Sequence, residues 1–274
     1  MKFVSTNLSA GRVQSAAVKI IVDRDRLRAN FSRTKFFDLK VELSKTDSKK
    51  TFSANLFKLD WKKIATSNDF NSHTGEIKTN DVTLLSENEA NQLCKKLTSE
   101  SWSIIDINEK SRTSNPKPPF TTSTLQQEAA RKLRSSARQT MSTAQRLYEN
   151  GFITYMRTDS THLSDEAIEG ARKIIQNNFG PEYLPDSPKQ YKSKVKNIQE
   201  AHEAIRPAHK NFVSIKKVEK SLGKEGSKLY ELIWKRTIAS QMKSAKLKQT
   251  SVIIMVKNAE FKATGQVILF PGYM

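Results

Sequence analysis

Along the chain the apolar positions change period several times, and each change predicts an element. Val13, Ala16, Ala17, Ile20, Ile21 and Leu27 recur at helical spacing, which predicts a helix over 13–28. Arg24, Arg26 and Arg28 fall in its last turns, where cations suit the negative end of a helix. From Phe36 the period drops to two. Phe37, Leu39, Val41 and Leu43 alternate with polar residues, as in a half-buried strand, and Phe52, Ala54, Leu56 and Phe57 continue the sheet over 51–60. Residues 68–81 are polar and turn-rich. Ser86 and Glu89 have capping-box spacing for a helix to Thr98, and 102–108 reads as another strand.

Pro116, Pro118 and Pro119 cannot sit inside regular elements, so 110–119 reads as a linker. Beyond it the pattern is helical. Ser123 with Gln126 predicts one cap, for a helix to about 134, and Ser136 with Gln139 a second, for a helix to about 149 that Gly151 stops. Residues 152–156 are short and extended. Ser164 caps a helix through Asn178, closed by Gly180-Pro181. A loop over 181–197 leads to a short helix at 200–205, ended by Pro207. Leu229, Leu232, Ile233 and Ile238 share one face of a longer helix over 226–242, and strands return at 252–256 and 261–270. This order predicts an α+β fold. A helical domain over 115–242 is inserted into a β-rich domain split into 34–114 and 243–274, preceded by a short helical segment over 1–33. The ends carry no cap or closing element, which leads us to expect an excised piece of a longer protein.

Charge narrows the function. Among 274 residues, 47 are Lys or Arg and 28 are Asp or Glu, for a net charge of +19. That excess favours a polyanionic partner: DNA, RNA or an anionic membrane surface. The single cysteine, Cys94, excludes an intramolecular disulfide framework and a Cys-rich zinc site. No apolar run approaches the ~18 residues of a membrane span, and 1–14 lacks the apolar core of a signal peptide. Neither a GxxxxGK[ST] phosphate loop nor a GxGxxG fingerprint is present, which argues against a nucleotide-driven motor.

Three runs carry candidate chemistry. In Gly151–Thr161, residues two apart on an extended segment face one side, so Tyr155, Arg157 and Asp159 project together. A tyrosine beside an arginine suits attack on a phosphodiester, since the guanidinium favours the phenolate and grips the phosphate as charge develops. The same residue types also fit a buried tyrosine with a satisfied hydroxyl and a surface Arg157–Asp159 pair. In Gln199–Pro207, a helical conformation places His202 and Arg206 on one face, where His202 could donate to a phosphate or move a proton, or simply lie on the surface. In Leu8–Ser15, Gly11 opens a helix, so that Ser9, Arg12 and Gln14 either hold a phosphate at its positive end or form an ordinary solvated cap.

Taken together, these runs resemble one family. LSAGRVQS at 8–15, PPFTTSTLQQ at 118–127, AQRLYENGFITYMRTDST at 144–161, QEAHEAIRP at 199–207 and LYELIW at 229–234 appear in the order of the type IA DNA topoisomerases. YMRTD in place of YPRTD is similar to the bacterial topoisomerase I branch. The resemblance implies a toroidal enzyme that relaxes negatively supercoiled DNA by transient cleavage of one strand, strand passage and religation. It implies that Tyr155 becomes 5′-phosphotyrosyl, that Arg157 stabilises the scissile phosphate and that His202 acts beside it. Thr158 and Asp159 would support the DNA and active-site network, and Ser9, Arg12 and Gln14 would contact the bound single strand. By the same resemblance, 34–114 and 243–274 form an arch, 115–242 the tyrosine-bearing domain, and 1–33 a remnant of a base domain.

The family's Toprim domain, with its catalytic glutamate and DxDxE magnesium site, has no counterpart in the sequence. Asp23-Arg-Asp25-Arg-Leu27 reads as a solvated helix face, so no metal site is expected in this chain and Mg²⁺ belongs to the longer enzyme. Two expectations follow: an enzyme portion that is inactive by itself, or a truncated, inert single-stranded-DNA-binding scaffold. The resemblance further implies a monomer that works on DNA in the bacterial cytoplasm, away from membranes.

Overall fold

The structure is a computed structural model that describes residues 11–45, 48–191 and 203–274. It has six helices and seven strands among those residues, so the α+β class holds. The chain forms two compact units, 1–110 with 249–265 and 111–248 with 266–274.

The first unit begins with helix α1 (Arg12–Ala29), started at Gly11 and ended at Asn30. Its helical period is as expected, but its apolar face is not covered: Val13, Ile20 and Ile21 are all strongly exposed. Strands β1 (Lys40–Ser44), β2 (Thr51–Leu59), β3 (Lys62–Ile64) and β4 (Val82–Thr83) follow. The alternating stretch from Phe36 enters regular pairing only at Lys40, with Phe37 bridged singly to Leu85. β1 and β2 are antiparallel, with Val41 opposite Ala54. Helix α2 (Glu87–Thr98) carries the expected capping box: Ser86 N–H donates to Glu89 Oε2 at 2.8 Å, and Ser86 Oγ accepts from Glu89 N–H. Its Leu93 and Leu97 are buried in a core built also from Ala54, Leu56, Ile254, Val256 and Phe261.

Strand β5 (Ser103–Ser114) is longer than the 102–108 expected, and absorbs half of the supposed linker. Prolines end it only at 116, while Lys110 to Ser114 retain the backbone donors that a strand needs. β6 (Ala245–Val256) and β7 (Ala259–Phe270) likewise start earlier than expected. The sheet order is β4-β3-β2-β7-β6-β5, with β1 also on β2.

The second unit is helical. Helix α3 (Thr122–Leu133) starts one residue before the expected Ser123 cap: Thr121 is the cap, and Thr121 and Thr124 form the reciprocal box. Helix α4 (Ala137–Glu149) is capped by Ser136, whose Oγ accepts from Gln139 N–H at 3.2 Å. Gly151 leaves it at φ +71°, a left-handed conformation that a side chain disfavours. Helix α5 (Asp165–Asn178) runs between Ser164 and the Gly180 turn as expected. Helix α6 (Ile215–Gln241) begins eleven residues earlier than expected, because Ser214 caps a first segment that continues through a kink at Gly223. Phe120, Leu125, Leu147, Ile153, Met156, Tyr230 and Ile233 form the core between α3, α4 and α6.

The expected helix at 200–205 is not formed where the structure describes it. Residues 203–206 are extended, with Ile205 bridged to Phe120 and Pro207 to Ile153. Pro207 disfavours helical geometry at Arg206, and those backbone groups pair with distant partners instead. No helix among the described residues is long and apolar enough to cross a membrane.

Candidate active site

The segment after α4 owes its shape to two threonine hydroxyls. Thr154 Oγ1 donates to Ala204 C=O at 2.7 Å and accepts from Arg206 N–H at 3.0 Å, while Thr154 N–H donates to Arg206 C=O. Thr122 Oγ1, at the start of α3, donates to Met156 C=O at 2.8 Å and accepts from Thr158 N–H at 2.9 Å. Thr122 N–H donates to Thr158 C=O. The backbone is therefore held on both sides of Tyr155.

Between these anchors the side chains alternate. Met156, Thr158 and Ser160 are buried; Tyr155, Arg157 and Asp159 are exposed. The period-two reading thus places the three functional candidates together on the open side. Tyr155 is 48% exposed, which excludes the buried-tyrosine alternative. Among the described residues its hydroxyl has no hydrogen-bond partner, and no ion pair joins Arg157 to Asp159. The ring is steadied by Tyr148 on the last turn of α4, with centroids 5.2 Å apart and planes at 65°, an edge-to-face contact. Thr158 lies inside: its Oγ1 accepts from Ser160 N–H at 3.1 Å, so it serves the scaffold of the segment.

Opposite Thr154, Arg206 is buried and joined to Glu203 at 2.7 Å, to Ser164 Oγ at 3.1 Å and to Pro207 C=O at 2.9 Å. Glu203 Oε1 accepts from Ser164 N–H at 2.7 Å. Burial alone would raise the Glu203 carboxyl, but Ser164 and Arg206 outweigh it and hold it below the usual range. This network ties the start of α5 to the strand-like run beside Thr154. His202 and Ser9 lie outside the described residues. Arg12 is the first residue of α1, and Gln14 sits in its first turn, its Oε1 3.2 Å from where a Cβ on Gly11 would stand.

Comparison with known proteins decides the family. A family model described as DNA topoisomerase matches residues 1–274. The chain belongs to the bacterial type IA DNA topoisomerases. It is 50% identical over 275 residues to DNA topoisomerase 1 of Synechococcus elongatus, covering 99% of this chain and 30% of that protein. It is 46% identical over 285 residues to DNA topoisomerase 1 of Mycobacterium tuberculosis, covering 100% of this chain and 30% of the relative. The full-length topoisomerase I structure from Thermotoga maritima aligns with a TM-score of 0.72 and 34% identity, over 98% of this chain and 40% of that one. The chain thus spans about a third of the length of these topoisomerases.

Three residues that shape the Tyr155 segment escaped sequence reasoning: Thr122, Thr154 and Tyr148. Thr122 was hidden in a run of four hydroxyl residues, any of which suits a helix start. Thr154 and Tyr148 stood inside the motif that carried the resemblance, and their spacing to Tyr155 signals nothing until α4 and the 204–208 run are placed. Asp23 confirms a solvated face, paired at the surface with Lys19 at 2.6 Å.

Proposed function

We propose that this chain supplies the attacking tyrosine of a topoisomerase acting on single-stranded segments of DNA. Tyr155 Oη attacks a backbone phosphorus, and the bond from phosphorus to the 3′-oxygen breaks. The phenolic proton is lost, and the leaving 3′-oxygen takes up a proton. The product is a 5′-phosphotyrosyl ester beside a free 3′-hydroxyl. One ester replaces another, so reversal reseals the strand without an external energy source. Arg157 takes the phosphate in two parallel hydrogen bonds and stabilises the charge that develops on it. Asp159 and the buried Thr158 hold that arginine's segment, and His202 donates to the DNA near the break. Ser9, Arg12 and Gln14 contact phosphates of the bound strand, at the positive end of α1. The chain is read as a base-domain remnant, 1–33, an arch, 34–114 with 243–274, and a tyrosine-bearing domain, 115–242.

The observation that supports this reading most is the exposure of Tyr155 and Arg157 on a backbone fixed by Thr122 and Thr154. Rate depends on such preorganisation, because a nucleophile held near its target avoids an entropic cost. Magnesium, which the resemblance implies for the longer enzyme, finds no fit here. Among the described residues no group of three or more His, Cys, Asp or Glu side chains could hold a metal ion, and no step above passes through one.

The test is a covalent adduct trapped by denaturant on a labelled oligonucleotide, in the intact protein. Tyr155→Phe removes the attacking atom with little change in volume and is expected to abolish the adduct while noncovalent binding persists. Arg157→Ala is expected to slow cleavage by about 10²–10³-fold. An undiminished adduct in Tyr155→Phe contradicts the proposal, and binding without any adduct in the parent favours the scaffold reading.

A further inference from the structure

Arg206 does not face outward as a helix over 200–205 would have set it. Its side chain is 8% exposed, too little to grip a phosphate, yet its backbone pairs with Thr154, the residue before Tyr155. The guanidinium forks to three partners. Nη2 donates to Glu203 Oε2 at 2.7 Å and to Ser164 Oγ at 3.1 Å, and Nη1 donates to Pro207 C=O at 2.9 Å. The other oxygen of Glu203 accepts from the N–H of Ser164, the cap of α5. One carboxylate thus stands beside a guanidinium and at the positive end of a helix at once.

The 203–208 run that this pair fixes is where the surroundings of Tyr155 meet. Ala204 N–H donates to His162 C=O, Ile205 N–H to Phe120 C=O and Ala208 N–H to Phe152 C=O, each at 2.8 Å. Arg206 exchanges two bonds with Thr154, its N–H donating to Oγ1 and its C=O accepting from the Thr154 N–H. Helix α5 lies so close to the chain just beyond the run that a side chain on Gly170 would collide with Lys210 C=O. Burying an ion pair is a poor route to stability, because desolvation offsets the attraction and apolar residues of similar size often serve as well. What the pair adds is direction. A planar fork with three fixed acceptors allows one placement of the run, where an apolar side chain would allow several. Tyr155 follows directly from Thr154, so the place of its hydroxyl depends on that placement.

We propose that Arg206, held by Glu203 and Ser164, is a positioning residue for Tyr155: it fixes the 203–208 run, and the run fixes Thr154. Arg206 touches neither DNA nor the reacting atoms. The fork and not the charge is what acts, so lysine cannot stand in for it. The inference rests on the reading of Tyr155 as the nucleophile and adds to it a separate claim about Arg206.

The test measures two quantities in the intact protein: the rate of adduct formation at saturating oligonucleotide, and the affinity for that oligonucleotide in the Tyr155→Phe background. Arg206→Lys is expected to slow the adduct by about 10²-fold, the scale of a small misplacement, with affinity within about twofold. Glu203→Gln keeps an acceptor for Ser164 N–H and is expected to slow it by about tenfold. Thr154→Val cuts the same path. If Arg206 acts through Thr154, the double variant Thr154→Val, Arg206→Lys falls no more than about threefold below the slower single variant, whereas independent effects multiply. As a control, Lys210→Gln breaks an exposed ion pair with Glu169 on α5 and is expected to leave rate and affinity unchanged. An unchanged rate in Arg206→Lys, multiplying effects in the double variant, an equal fall in Lys210→Gln, or affinity falling in step with rate overturns the proposal. So does loss of the thermal unfolding transition in both Arg206→Lys and Glu203→Gln, which would make the pair purely structural. An adduct that is absent from the parent or survives Tyr155→Phe refutes the nucleophile, and this inference with it. An adduct lost in Tyr155→Phe but undiminished in Arg206→Lys refutes this inference alone.

Discussion

Tyr155 and Tyr230 lie in the same unit, and almost everything about their surroundings differs. Tyr230, on α6, is fully buried, and its hydroxyl donates to Val213 C=O at 2.8 Å. Burial pushes its phenol well above the ordinary value. At Tyr155 the hydroxyl has no hydrogen-bond partner among the described residues, and it is the backbone that is bound, through Thr122 and Thr154. Two ways of ordering a tyrosine are on view. One commits the hydroxyl and so disarms it; the other fixes the main chain and leaves the hydroxyl available.

This contrast can be broken most strongly at the buried end. Ile233→Ala, in the core beside Tyr230, is expected to destabilise the chain by about 2–5 kcal/mol in urea unfolding. The matching truncation on the uncovered face of α1, Ile20→Ala, is expected to change stability by no more than about 0.5 kcal/mol. Equal effects would mean that the face of α1 is covered after all.

At the exposed tyrosine the hydroxyl anchors are the place to act. Thr122→Val preserves shape but leaves Thr158 N–H and Met156 C=O without their partner, at a cost of about 1–3 kcal/mol. Amide hydrogen exchange at Thr158 should accelerate in Thr122→Val and recover in Thr122→Ser. If adduct formation falls in Thr122→Val and returns in Thr122→Ser, the anchor acts on the position of Tyr155. A loss shared equally by Thr122→Ser would show that only packing was at stake.

Acid titration probes the polar support beneath α3. Burial would raise the Glu128 carboxyl, but Lys132 and Arg131 bind it and bring it to about 2, from 4.5. A carboxyl with a lowered folded pKa stabilises the fold above its unfolded pKa and loses that contribution as pH falls toward the folded value. Thermal stability should therefore hold at neutral pH and decline between about 4.5 and 2, with a smaller decline in Glu128→Gln. The smallest expected effect is at the ring contact. Tyr148→Ala should cost about 0.5–1.5 kcal/mol and loosen Tyr155, whereas Tyr148→Phe keeps the edge-to-face contact and should be nearly silent.

Local signals made much of this fold legible before any coordinates. α2, α4 and α5 begin at the residues their caps predict, and Gly151 and Gly180 stop the last two. What could not be read was pairing between distant segments. The 203–206 run carries helix-compatible residues, yet its backbone is claimed by Phe120 and Thr154, far away in sequence. The helix expected over 226–242 left out the segment that Ser214 caps, which continues into it through a kink at Gly223, φ 71°. The same division holds at the site. The period of two from Tyr155 to Asp159 is written in the sequence, while the hold of Thr122 on that segment exists only once α3 lies beside it.

The central claim is that Tyr155, and no neighbouring tyrosine, forms the bond to DNA. Tyr148 is the sharpest competitor, with its ring 5.2 Å away and 41% exposed. Trapping the adduct in the intact protein, digesting both protein and DNA, and locating the residual nucleotide by mass spectrometry distinguishes them directly. The account predicts the nucleotide on the peptide fragment containing Tyr155, attached through its 5′-phosphate. A nucleotide on Tyr148, or attachment through a 3′-phosphate, would contradict it.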